Sequence, residues 1–179
     1  DIHAATHAFN EVQDYIKKLV WDGIPRLDTL FIDYLGAEDD PVGYTRAVCR
    51  KAFTAAVARA MDPGCKYDCM LILCGAQGLG KSTILDKMSR GWFNDSIRTF
   101  EGKEASELLQ GVWLVEVAEL DAFRRTDVAR IKQFLSLRAD RYRAAYGRNV
   151  KELPRCCVFF GTCNQMDFLQ DTTGNRRFW

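Results

Sequence analysis

The chain has 179 residues, 47% of them hydrophobic, with 25 Lys or Arg against 24 Asp or Glu and two His. That is room for one α/β domain with a modest extra segment, and a net charge of +1 points by itself to no polyanionic or polycationic partner. No apolar run approaches the ~18 residues of a membrane span and no leader pattern is visible, so composition excludes a membrane-spanning helix and favours a cytoplasmic protein.

Seven cysteines stand at 49, 65, 69, 74, 156, 157 and 163. The odd count, with Cys74, Cys157 and Cys163 inside apolar runs, reads as reduced intracellular usage. Cys65-x-x-x-Cys69 resembles half a zinc site, but His3 and His7 fall in the first predicted helix, so no zinc is expected. There is no initiator Met, and Gly174–Trp179 stops inside what reads as a strand, so a piece of a larger protein is expected.

In chain order, residues 1–20 read as a helix with Phe9, Val12, Ile16 and Leu19 on one stripe. Trp21-Asp-Gly-Ile-Pro25 reads as a turn, Arg26–Leu35 as a second helix closed by Gly36, and Pro41–Met61 as a third with Tyr44, Val48, Phe53, Ala56, Val57 and Ala60 inward. Asp62-Pro-Gly-Cys-Lys66 ends this helical unit, placed at residues 1–66, and a core over residues 67–179 follows. Met70–Cys74 is a short apolar run, as a buried parallel strand should be. The core then alternates: a helix through Ile84–Met88, a weak strand or loop over Gly91–Ile97, a short helix over Lys103–Gln110, a strand over Val112–Ala118, a helix over Thr126–Leu137, a β-hairpin over Asp140–Glu152 turning at Tyr146-Gly147, and a strand over Cys156–Gly161. This alternation predicts an α/β fold with a parallel sheet and helices on both faces.

The chemistry begins at Gly75-Ala-Gln-Gly-Leu-Gly-Lys-Ser82, a G-x-x-x-x-G-K-S pattern between a strand and a helix, followed by Thr83. This is the P-loop form. Backbone N–H groups must curl around phosphates, and Gly75, Gly78 and Gly80 leave room for that, with Ala76, Gln77 and Leu79 completing the loop. Lys81 would bring charge to the β- and γ-phosphates, Ser82 a hydroxyl to Mg²⁺, and Thr83 opens a helix whose N-terminus favours an anion. ATP and Mg²⁺ are therefore the expected ligands.

Such a loop needs a carboxylate. On the strand Val112–Ala118, Leu114, Glu116 and Ala118 share one face, while Glu119 sits at the C-terminal end, where open α/β sheets bind ligands. Glu119 is the preferred metal and water carboxylate, with Asp121 a further candidate. Glu116 is either a second acidic group or a buried partner for an arginine. Thr162 and Asn164, which end the apolar strand, could reach a γ-phosphate or its water, or simply end a turn. Arg176 and Arg177 suit phosphate recognition, as an arginine finger from a neighbouring subunit, or form a plain surface pair. Residues 122–155 carry ten Lys or Arg against Asp127, Asp140 and Glu152, a net +7 that the rest of the chain offsets. Within it, Arg141, Tyr142, Arg143, Tyr146 and Arg148 combine charge with stacking surface, which suits tracking of one DNA strand; the alternative is a solvated loop with tyrosines in the core.

Taken with Trp21-Asp-Gly-Ile-Pro-Arg26, Glu116-Val-Ala-Glu-Leu120, Asp140-Arg-Tyr-Arg143, Tyr146-Gly-Arg148 and Gly174-Asn-Arg-Arg-Phe-Trp179, the chain resembles the virulence-associated protein E family of phages and mobile elements. The family's core is similar to superfamily 3 helicases and phage primase-helicases. The resemblance implies a P-loop NTPase of AAA+-like fold that assembles into a homo-oligomeric ring, often a hexamer, and acts on DNA. It makes residues 75–83 similar to Walker A, Glu119 to the Walker B acid, Asn164 to a sensor, Arg176 or Arg177 to the finger, and Lys132–Arg148 to the segment bearing a DNA-contacting hairpin. The Glu-x-x-Glu spacing departs from the helicase pattern. The expected function is an ATP-hydrolysing DNA helicase or translocase module; a small P-loop kinase and a non-hydrolysing scaffold are the rivals, separated from it by DNA-stimulated turnover.

Overall fold

The structure is a computed structural model that describes residues 10–123, 125–143, 149–165 and 175–179. Among the described residues, three helices come first: α1 (Glu11–Lys18), α2 (Leu30–Leu35, entered through a 3-10 turn at Leu27–Thr29) and α3 (Tyr44–Met61). β1 (Met70–Cys74), α4 (Lys81–Ser89), β2 (Phe93–Asn94), α5 (Gly102–Glu107) and β3 (Leu114–Val117) follow. A 3-10 turn at Leu120–Ala122 leads to α6 (Arg125–Leu135), β4 (Ala139–Tyr142), β5 (Lys151–Pro154) and β6 (Val158–Cys163), and another spans Asn175–Arg177.

The central sheet is parallel, in the order β1-β6-β3-β2. Phe178 and Trp179 extend it beyond β1: Phe178 bridges Met70, the Trp179 N–H donates to the Met70 carbonyl, and the Ile72 N–H to the Trp179 carbonyl. Two apolar clusters cover its faces, and the strands feed them alternately, as a two-residue period demands. Met70, Val115, Val117 and Phe159 enter the cluster with α6, through Val128, Ile131 and Phe134. Leu71, Leu73, Leu114, Val158 and Phe160 enter the other, with Leu30, Phe31, Val48, Phe53 and Leu85 from α2, α3 and α4. The helical unit and the sheet thus share one core. Gly161 lets Leu120 pack closely on β6: a Cβ there would push the Leu120 side chain aside and crowd Ile72 and Met70.

Several expectations need correction. Within the predicted span 1–20, a helix begins at Glu11, where the Asn10 side chain accepts from the Gln13 N–H as an N-cap, and ends at Lys18, leaving Leu19 exposed; residues 1–9, Phe9 among them, lie outside the described residues. α3 starts at Tyr44 rather than Pro41, after Gly43 in the left-handed region, with Asp39 and Asp40 accepting from the Thr45 and Tyr44 N–H groups. Its buried stripe runs through Val48, Cys49, Ala52, Phe53, Ala56, Arg59 and Ala60, so Tyr44 and Val57 are not inward. The Arg59 guanidinium is buried in this stripe because it donates to the Cys65, Tyr67 and Cys157 carbonyls. β4 and β5 form the expected antiparallel hairpin, whose predicted turn at Tyr146-Gly147 lies outside the described residues. The strand expected at Cys156–Gly161 starts at Val158 and runs on through Thr162 to Cys163. Among the described residues no helix is long and apolar enough to cross a membrane, and no three His, Cys, Asp or Glu cluster to hold a metal.

Candidate functional site

β1 ends at Cys74, and residues 75–80 carry the chain from the C-terminal edge of the sheet into α4. Gly80 caps α4 in the left-handed conformation, φ +85°, where any side chain would be strained. Among the described residues no side-chain hydrogen bond caps α4, so its first N–H groups are open to an anion. The Lys81 ammonium donates to the Gly75 and Ala76 carbonyls at 2.6 and 3.0 Å, which holds it across the mouth of its own loop.

Glu116 faces this loop. It lies on β3 on the same side as Leu114, the side α4 covers, and is 1% exposed. One carboxylate oxygen, Oε1, accepts from Ser82 Oγ at 2.7 Å and from Thr162 Oγ1 at 2.6 Å. The other, Oε2, is buried with no hydrogen-bond partner among the described residues. The arginine partner considered for Glu116 is not what the fold supplies; its partners are two hydroxyls. A buried carboxylate oxygen left unpaired costs stability and needs an explanation.

Glu119 lies beyond the end of β3, exposed, with φ 55° and ψ 47°. Its carbonyl accepts from the Ala122 N–H and so opens the 3-10 turn. A non-glycine residue in the left-handed region costs about 1–2 kcal/mol, and such strain collects at functional sites. A cleft of about 440 Å³ brings together residues 77–83, Glu116, Ala118, Glu119, Thr162, Cys163 and Asn164. The structure therefore assembles the loop, both glutamates and Asn164 in one place. Thr162, read with Asn164 as the polar end of its strand, joins them through its hydrogen bond to Glu116 on the neighbouring strand.

Arg176 and Arg177 are not part of this cleft. Arg177 stands 3.5 Å from Asp68, just before β1, whereas the loop leaves the other end of that strand. Five strand residues at ~3.3 Å each put the pair roughly 15 Å from the loop.

The basic segment is less free than its composition suggests. The Arg155 guanidinium is fully buried and grips Asp140 with two 2.8 Å hydrogen bonds, while Ser106 donates to the same carboxylate. Arg138 donates to the Gly64 carbonyl, Arg130 pairs with Glu101 and Asp127, and Arg141 with Glu152 across the hairpin. The Lys132 ammonium lies over the Phe178 ring, 5.7 Å from its centroid. Arg143 is exposed at the end of β4, and Tyr146 and Arg148 lie outside the described residues.

The family model described as the virulence-associated protein E-like domain matches residues 16–179. A comparison with curated proteins finds no match. Among solved structures, the A-form apo structure of the NrS-1 C-terminal region superposes with a TM-score of 0.54 at 16% identity, over 88% of this chain and 38% of that one. The apo structure of NrS-1 residues 305–718 gives 0.52 at 18%, over 88% and 38%. These likenesses are of fold, and the chain spans little more than a third of those structures.

Proposed function

The chain belongs to the virulence-associated protein E-like family, and on that footing we propose that it is an ATP-hydrolysing module acting on DNA in replication of a mobile element. The observation that carries this reading is the Glu116 carboxylate, buried against the Ser82 hydroxyl at the mouth of the glycine loop with one oxygen unused.

In this reading the loop is a Walker A P-loop on an AAA+-like sheet. The N–H groups of residues 75–83 surround the phosphates, and Lys81 leaves its own carbonyls for the β/γ oxygens. The donor set fits Mg²⁺, which takes few protein oxygens and keeps water and phosphate as its other ligands: the Ser82 hydroxyl and the idle Oε2 of Glu116 would hold it. The metal would neutralise charge on the β- and γ-phosphates. Glu116 thus takes the metal role first given to Glu119, because β3 turns Glu116, not Glu119, toward Ser82. Glu119, exposed on the cleft, is left to orient the attacking water, with Asn164 beside it. Arg176 or Arg177 would serve the neighbouring subunit's cleft, since its own is a strand length away. That makes a homo-oligomeric ring, of hexameric size by family resemblance, a requirement for turnover. The basic hairpin, through Arg141, Arg143, Tyr146 and Arg148, with Lys132 behind it, is the proposed DNA track.

The test is ATP turnover with and without single-stranded DNA, for the native protein and for Lys81→Ala. DNA-stimulated hydrolysis that Lys81→Ala abolishes supports the reading. Phosphorylation of a small acceptor, indifferent to DNA, replaces it with a kinase, and ATP binding without turnover replaces it with a scaffold.

A further inference from the structure

A second cavity adjoins the cleft. It has a volume of about 650 Å³ and lies between the helical unit and the sheet. The two spaces share Leu79 and Lys81 as walls. Leu35, at the end of α2, reaches within 4.0 Å of where a Cβ on Gly80 would stand, so the helical unit closes directly on the glycine loop. The cavity's walls are mostly apolar: Leu35, Ala37, Val48, Leu79 and Trp179, with half-exposed Tyr44 among them.

One lobe thus offers open helix N–H groups and an ammonium, and the other a mainly apolar slot, joined at Leu79 and Lys81. The ligand that fits both has a polyanionic tail and a flat, weakly polar ring, which is a nucleoside triphosphate. Among the described residues, the slot holds few side chains able to read the ring's edge. The Thr45 hydroxyl is committed to the Glu38 carbonyl at 2.7 Å. The Glu38 carboxylate is exposed and could favour an exocyclic amine only from the solvent side. A slot built this way grips by contact, and apolar contact discriminates weakly, whereas sites built on hydrogen bonds reject a wrong partner by orders of magnitude.

We infer that Leu35, Ala37, Tyr44 and Leu79 form a base-tolerant nucleobase slot, so that the site takes purine and pyrimidine nucleoside triphosphates alike. This rests on the nucleotide reading of the glycine loop. The protein should bind ATP, GTP, CTP and UTP within about tenfold of one another, and each at least about tenfold more tightly than inorganic tripolyphosphate, which meets the loop but has no ring.

Calorimetry with these five probes on the native protein, Ala37→Phe and Tyr44→Ala tests it. Ala37→Phe fills the slot and should weaken all four nucleotides about tenfold or more while leaving tripolyphosphate unchanged. Tyr44→Ala removes a half-exposed wall, so it should weaken them less and without unfolding risk. Unchanged tripolyphosphate binding also certifies that either variant is folded. A preference above about a hundredfold for one base, or nucleotide affinity no better than that of tripolyphosphate, overturns the inference alone. Nucleotide affinity untouched by both variants does the same. Failure of all five probes to bind overturns the nucleotide reading as well.

Discussion

Asp140 and Glu116 are both buried carboxylates, and both accept a hydrogen bond from a serine hydroxyl. At the root of the hairpin, Asp140 uses both oxygens on the Arg155 guanidinium, which in turn stacks 4.1 Å from the centroid of Phe134. At the glycine loop, Glu116 has two hydroxyls on one oxygen, nothing on the other, and no ion-pair partner among the described residues. The first arrangement is complete and stabilises a joint between β4, α5 and the residue leading into β6. The second is half made. A fold that can satisfy one carboxylate so fully leaves the other short where a charged ligand is expected to supply the rest, which is how a buried polar group marks a site rather than a strut.

The sharpest way to break the comparison is to neutralise each acid in turn. Asp140→Asn strands the Arg155 charge in the core and should cost about 3–5 kcal/mol, read as a lowered denaturant midpoint. Glu116→Gln keeps the shape and removes a buried charge that lacks a cation, so stability should hold or rise rather than fall. Its ATP turnover should nevertheless fall by about a hundredfold or more, with weakened Mg²⁺ dependence of nucleotide binding. If Glu116→Gln destabilises as much as Asp140→Asn and leaves turnover intact, Glu116 is a strut after all.

The parts of this site legible in the sequence were the local ones. The loop from Gly75 to Thr83 is written in consecutive residues, so its glycines, Lys81 and Ser82 could be read together, and the structure does carry them from the end of β1 into α4. Strand alternation also placed Leu114 and Glu116 on one face correctly. What alternation could not say was which face α4 would cover, since Ser82 and Thr162 lie 34 and 46 residues from Glu116. Strand order decides that, and the crossover that sets β6 between β1 and β3 leaves no local trace. Charge counting failed for a related reason. Arg155 counts toward the basic segment, but a guanidinium with enough carbonyl or carboxylate acceptors can be buried, and composition does not show acceptors.

Glu119 offers a smaller, two-signed effect. Glu119→Gly should relieve the left-handed backbone and raise stability by roughly 1 kcal/mol. The same change deletes the carboxylate assigned to the attacking water, so turnover should drop while ATP affinity stays within a few fold. Thermal melts and single-turnover hydrolysis on the same preparation separate the two. A variant that gains stability and keeps full turnover would move the water role to Asn164 or elsewhere.

The smallest effect expected concerns the basic segment, where the contrast between satisfied and unsatisfied groups recurs among cations. Arg155 and Arg138 spend their hydrogen bonds inside the protein, while Arg143 stands exposed just past the end of β4. Arg141 is bound to Glu152, but a surface pair is worth at most about 1 kcal/mol and gives way to a phosphate. If the hairpin tracks single-stranded DNA, affinity falls with salt by a log–log slope of about −0.7 per phosphate neutralised. Arg143→Ala should flatten that slope by about 0.7, and Arg141→Ala by the same or slightly less because Glu152 is then left beside the strand. Arg138→Ala should leave the slope unchanged, since its guanidinium already serves the Gly64 carbonyl. Fluorescence anisotropy over a salt series, on the assembled, nucleotide-bound protein, reads all three. An assembly multiplies contacts that one subunit makes weakly, so the slope of the native protein should exceed what a single hairpin could produce. A slope equally flattened by Arg138→Ala would mean that folding, not phosphate contact, was being measured, and an absence of DNA affinity at low salt would remove the hairpin from the proposed track.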